Sequence, residues 1–101
     1  MQDMQRAIEA IIGKIPQGMV FDSHFVINRL IKEYSQVYLS FVAQLFAPSA
    51  NVTAALVNGR IALLIKDCGN VKRLMIGDQE LQSWSENIHT NCNECACWRK
   101  I

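Results

Sequence analysis

The chain predicts an α+β domain: about four helices followed by a C-terminal antiparallel β-hairpin. Three observations carry this. Apolar residues recur at helical spacing through the first two thirds, helix-start and helix-stop residues divide that stretch, and two strand-like runs joined by a polar loop follow. With 101 residues, half of them hydrophobic and 19% charged, the chain suits one folded domain over residues 1–101.

Met4, Ala7, Ile8, Ile11, Ile12 and Ile15 form one helical stripe, closed by Gly13 and Pro16. Pro16-Gln17-Gly18 reads as a turn, and Met19-Val20-Phe21 as a short edge strand. Asp22 or Ser23 is suited to cap the next helix, because a short oxygen-bearing side chain accepts from free N–H groups of the first turn. That helix is expected to bury Val26, Ile27, Leu30, Ile31 and Tyr34 and to turn His24, Asn28, Arg29, Lys32 and Glu33 to water. A third helix starts at Ser35 or Gln36 and runs through Phe46. After the loop Ala47-Pro48-Ser49-Ala50-Asn51, Ser49 or Asn51 is expected to cap a fourth helix ending at Cys68, with Gly69 as its stop. Val71 to Ile76 reads as a strand, Gly77-Asp78-Gln79 as a turn, Leu81 to Ile88 as a weaker strand or loop, and Ala96 to Ile101 as the last strand.

This order matches a winged helix-turn-helix-like domain with one additional helix. The alternative is a helical domain capped by a hairpin of unrelated topology. The chain also resembles small winged-helix proteins of phages, integron gene cassettes and other bacterial mobile elements. The resemblance rests on Gly18, Phe21, Asp22 and Ser23 at a helix entry, then on Gly59, Arg60 and Gly69. Ser85, Asn87 and Trp98-Arg99-Lys100 complete it at the end of the chain. It implies an uncharacterised mobile-element accessory protein, with DNA-binding regulation as one role.

Net charge is only +1, so no global pull on nucleic acid is evident. From Val57 to Ile76, four bases (Arg60, Lys66, Lys72, Arg73) stand against Asp67, a local +3. From Gly77 to Glu94 there are Asp78, Glu80, Glu86 and Glu94 without a base, a local −4. A wing lying along phosphates should be basic. The residues that could read or grip DNA are Asn51, Thr53, Asn58, Arg60, Lys72 and Arg73. The plainer reading of the bases is a solvated face.

The other hypothesis is a protein-contact module, most simply a homodimer. Tyr38, Leu39, Phe41, Val42, Leu45 and Phe46 cover a wide arc of the third helix, and Val52, Leu56 and Leu63 form a second apolar stripe on the fourth. Tyr38, Phe41, Val42, Leu45, Val52, Leu56 and Leu63 are the candidate partner surface.

His89, Cys92, Cys95 and Cys97 have ligand chemistry suited to zinc, but four ligands within nine residues are too tight for an ordinary tetrahedral site. The simpler reading is that Cys95 and Cys97 are small core residues, so no metal and no cofactor is expected. Asp22-Ser23-His24 holds the letters of a triad without its geometry, since adjacent side chains diverge. No catalytic residue, small-molecule substrate or enzymatic role is expected. Nor is a membrane span, because no apolar run approaches about 18 residues. The start of the chain lacks the basic-then-apolar order of a signal peptide, which points to a cytoplasmic protein with reduced thiols.

Overall fold

The computed structural model describes residues 2–46, 53–87 and 90–101. Its elements are α1 (Gln2–Gly13), β1 (Val20–Asp22), α2 (Ser23–Glu33), α3 (Ser35–Phe46) and α4 (Ala54–Lys66). They continue with β2 (Val71–Arg73), β3 (Met75–Ile76), β4 (Gln79–Glu80), β5 (Gln82–Glu86) and β6 (Cys92–Lys100). The fold is α+β, with an antiparallel sheet in the order β1-β6-β2. β5 pairs with the N-terminal part of β6, from Gln82↔Ala96 to Glu86↔Cys92.

The stripe on α1 is buried as its spacing demands: Met4, Ala7, Ile8, Ile11 and Ile12 all lie in the core. α2 adds Val26, Ile27 and Leu30, and α4 adds Val57, Ile61 and Ile65. Phe21 and Trp98, cross-strand partners on β1 and β6, close the core from the sheet side. The last turn of α1 is held by a residue far along the chain. Lys100 Nζ donates to Ile12 O (2.8 Å) and Ile15 O (2.9 Å), placing a cation on the carbonyl end of the helix.

Asp22 caps α2: its Oδ1 accepts from Phe25 N at 2.8 Å. Gly18, at φ 89°, donates its N–H to Lys100 O, a turn conformation that L side chains resist. Gly77, at φ 62°, is the first of the two turn residues joining β3 to β4, where a primed hairpin turn requires glycine.

Several local expectations need correction. His24 is not on the wet face of α2; only 3% of it is exposed, because the β5–β6 ribbon covers the first turn. α4 is capped by Thr53, and the expected caps Ser49 and Asn51 lie outside the described residues. The helix ends at Lys66 with Asp67 as its cap, and Gly69 takes no left-handed φ, so the stop is not a glycine cap. The strand expected over 71–76 breaks at Leu74, whose N–H donates to Cys97 O while its carbonyl accepts from Leu81 N. Beyond that point the chain leaves β6 and folds on itself as β3–β4. The last strand begins at Cys92 instead of Ala96, since β5 supplies it with partners.

Candidate functional site

The residues singled out for DNA scatter. Asn51 lies outside the described residues. Thr53 is occupied as a cap, its Oγ1 accepting from Leu56 N at 3.2 Å. Asn58 is half-buried beside α2 and β6. Arg73 is held inside the fold: Nη1 donates to Leu81 O and Cys97 O, Nε pairs with Glu80 at 3.2 Å, and the guanidinium lies 5.5 Å from the Trp98 ring centroid. Arg60 and Lys72 are the two of the six that are exposed cations.

The partner-surface residues also divide. Phe41 is a core residue, which corrects its assignment to a surface. Tyr38, Val42 and Leu45 are half-buried against that core, and Val52 lies outside the described residues. Leu56 and Leu63 remain outward on α4, 38% and 57% exposed. α3 and α4 each pack on α1 and α2, so the apolar residues of α3 are spent largely on the core.

A polar cluster was not anticipated. The N-terminus of α2 sits against β5 and β6, and its three first residues reach different partners. Asp22 Oδ2 accepts from Ser83 Oγ at 2.7 Å. Ser23 Oγ accepts from Trp98 Nε1 at 3.1 Å and donates to Ala96 O at 3.4 Å. His24 Nδ1 lies 2.7 Å from Ser85 Oγ, which lies 3.8 Å from Cys95 Sγ. The divergence expected of adjacent side chains is therefore present, and no triad forms. Phe21, Asp22, Ser23, Ser85 and Trp98 all carried the family resemblance, and the fold brings them to this one place.

The electrostatics follow from these contacts. Burial acts to raise the Asp22 pKa, but donors from Ser83, the Phe25 N–H and Ser85, with His24 nearby, outweigh it and hold the carboxyl below its ordinary value. Burial, reinforced by the Asp22 charge, pushes the Cys97 thiol up, with Arg73 opposing. Cys97 is buried, Cys95 half-buried and Cys92 exposed, while His89 lies outside the described residues. Among the described residues no group of three or more His, Cys, Asp or Glu side chains could hold a metal ion.

Beside the cluster, α2, α4 and β6 enclose a cleft of about 250 Å³. Its polar wall carries Ser23, His24, Asn58, Asn93, Glu94 and Cys95. Its apolar wall carries Ile27, Ala55, Gly59, Ala62 and Ala96. The cleft exists because α4 presents two alanines and a glycine here; a Cβ added at Gly59 would meet nothing within 4 Å. The Asn58 Oδ1 is buried and has no hydrogen-bond partner. Sequence reasoning missed this site. Its one legible trace was the alternation Ser83-x-Ser85, which puts two hydroxyls on one face of a strand, opposite Cys95 and Asn93 in the register.

No protein-family model, curated protein or solved structure matches the chain. Among the described residues, no helix is long and apolar enough to cross a membrane.

Proposed function

We propose that this is a winged-helix protein, an accessory protein of the mobile-element kind that its motifs resemble, and that it works by protein contact as a homodimer through α4. The sheet order β1-β6-β2 supports the winged-helix reading. In that arrangement the strand after the first helix and the strand after the last helix flank the C-terminal strand, and β5–β6 extends as the wing.

The observation that carries the contact reading is the outward face of α4. It presents Ala55, Leu56, Gly59 and Leu63, with Arg60 at its margin. Leu56 and Leu63 are two turns apart on one stripe and sit symmetrically about Gly59-Arg60. In an antiparallel two-fold pair, Leu56 of one copy meets Leu63 of the other, and Gly59 permits close approach. A helix meant for the major groove would show donors and acceptors on this face.

The test is native mass measurement across a concentration series. The wild type should pass from monomer to dimer, and Leu56→Glu with Leu63→Glu should stay monomeric with unchanged helix content. A wild type monomeric at every concentration defeats the proposal. DNA binding stays as the second reading because Arg60, Lys72 and Arg99 are exposed. Retention on duplex DNA at low salt, lost in Arg60→Ala with Lys72→Ala, would favour it instead.

A further inference from the structure

The outer face of the β5–β6 ribbon carries an inference that goes beyond the homodimer. We propose that it docks an arginine-bearing basic segment of a partner protein, whose guanidinium lies on the Trp84 ring and pairs with Glu94 and Glu86.

Side chains alternate along a strand. Ser83 and Ser85 turn to Asp22 and His24, which leaves Trp84 and Glu86 on the opposite face of β5. The register places Glu94 directly across from Trp84, and Cys92 across from Glu86. Cross-strand neighbours of this kind have Cβ atoms about 5 Å apart, so the indole and the carboxylate lie side by side. Four consecutive residues, 93–96, line the cleft, so the cleft follows the edge of the strand, and the pairing still sets Glu94 beside Trp84. Trp84 is 69% exposed, and Glu86 and Glu94 are exposed as well. Among the described residues neither carboxylate is in an ion pair, and no cation lies over the Trp84 ring.

The occupant follows from charge and from the molecule's own contacts. From Gly77 to Glu94 there are four acids and no base, so the face calls for a cation and repels phosphates. Elsewhere in the fold an arginine already completes the same pair of groups. Arg73 lies 5.5 Å from the Trp98 ring centroid and pairs with Glu80. Arg29 lies 5.5 Å from the Phe25 ring centroid and pairs with Glu33. At Trp84 the ring and the carboxylates recur without the arginine. A guanidinium suits them better than an ammonium, because it is flat enough to stack and presents a fork of donors to a carboxylate. The face is open, so a small free ion would be held weakly. A protein segment brings neighbouring contacts with it, and Trp and Arg are the side chains enriched as anchors at protein interfaces.

The probe is the capped peptide acetyl-Gly-Arg-Gly-Arg-Gly-amide, titrated into the full chain at low salt and followed by residue-resolved NMR. The same peptide with Lys or with Glu in place of Arg is the control. The Trp84 indole N–H and the amides of Glu86 and Glu94 should shift, and the Trp98 indole should not. The Lys peptide should bind a few-fold more weakly and the Glu peptide not at all. Trp84→Ser should weaken the Arg peptide about fivefold or more at unchanged Tm. Glu86→Gln with Glu94→Gln should weaken it similarly, and this loss should shrink at high salt. Leu56→Glu with Leu63→Glu should leave the titration unchanged, which separates this face from the α4 dimer. Undiminished binding by Trp84→Ser would overturn the proposal. So would a Lys peptide that binds as tightly as the Arg peptide. An oligomer of the chain alone that persists in Leu56→Glu with Leu63→Glu and is lost in Trp84→Ser would assign the face to a second copy, and would overturn it too.

Discussion

The two halves of β6 share one strand but not one environment. Residues 97–99 pair with β1 on one side and residues 98–100 with β2 on the other, whereas residues 92–96 pair with β5 alone. In the first half Trp98 is 3% exposed, and its indole N–H is satisfied by Ser23. In the second half Trp84, the cross-strand partner of Glu94, is 69% exposed. Where helices cover the sheet, polar groups are paired internally and hold the fold. Along the second half, Ser83 and Ser85 of β5 still bind Asp22 and His24, while Trp84 between them stands open. Residues 93–96 of this second half line the cleft beside α2 and α4.

The comparison can be broken most severely at Trp98. Trp98→Ala should cost about 3–5 kcal/mol by loss of packing, read from denaturant midpoints. Ser23→Ala should cost about 1–3 kcal/mol, because it leaves the buried indole N–H without its acceptor. Asp22→Ala should cost about 1 kcal/mol as a lost cap.

Asp22 also gives the difference a pH signature. Its folded pKa is depressed, so its contribution to stability is present above the ordinary carboxylate value. That contribution is lost as pH falls through the lower, folded value. Asp22→Asn should flatten the stability profile in the acid range below about pH 4 and leave it unchanged in shape above. Trp84→Ser should be the mildest change, within about 0.5 kcal/mol. Acrylamide should quench Trp84 emission strongly and Trp98 emission weakly. Equal quenching would remove the contrast between the two halves.

The helical stripe of α1 was legible because five of its core residues recur at three- and four-residue spacing. The Asp22 cap was legible because its partner is Phe25, three residues away. The pairing of the strand after α4 with the last strand was foreseen as well. The break at Leu74 was not, because it depends on Cys97 and Leu81 taking its two backbone groups. Of the candidate sites, Leu56 and Leu63 remain an outward pair. Phe41, expected at a surface, became core because α1 and α2 pack over it.

The sequence alone determined that α1, α2 and α3 form and roughly where they start, since periodicity and caps act between residues a few positions apart, while strand limits waited on partners far along the chain. Tertiary structure decided what the polar side chains do. His24 and Ser85 are 61 residues apart in the chain and 2.7 Å apart in the fold. Arg73 is bound by the Leu81 and Cys97 carbonyls and by Glu80, and Asn58 lines a cleft that three separate elements create. A polar group takes its role from whichever donor, acceptor or charge lies within hydrogen-bond reach, and long-range packing sets that distance.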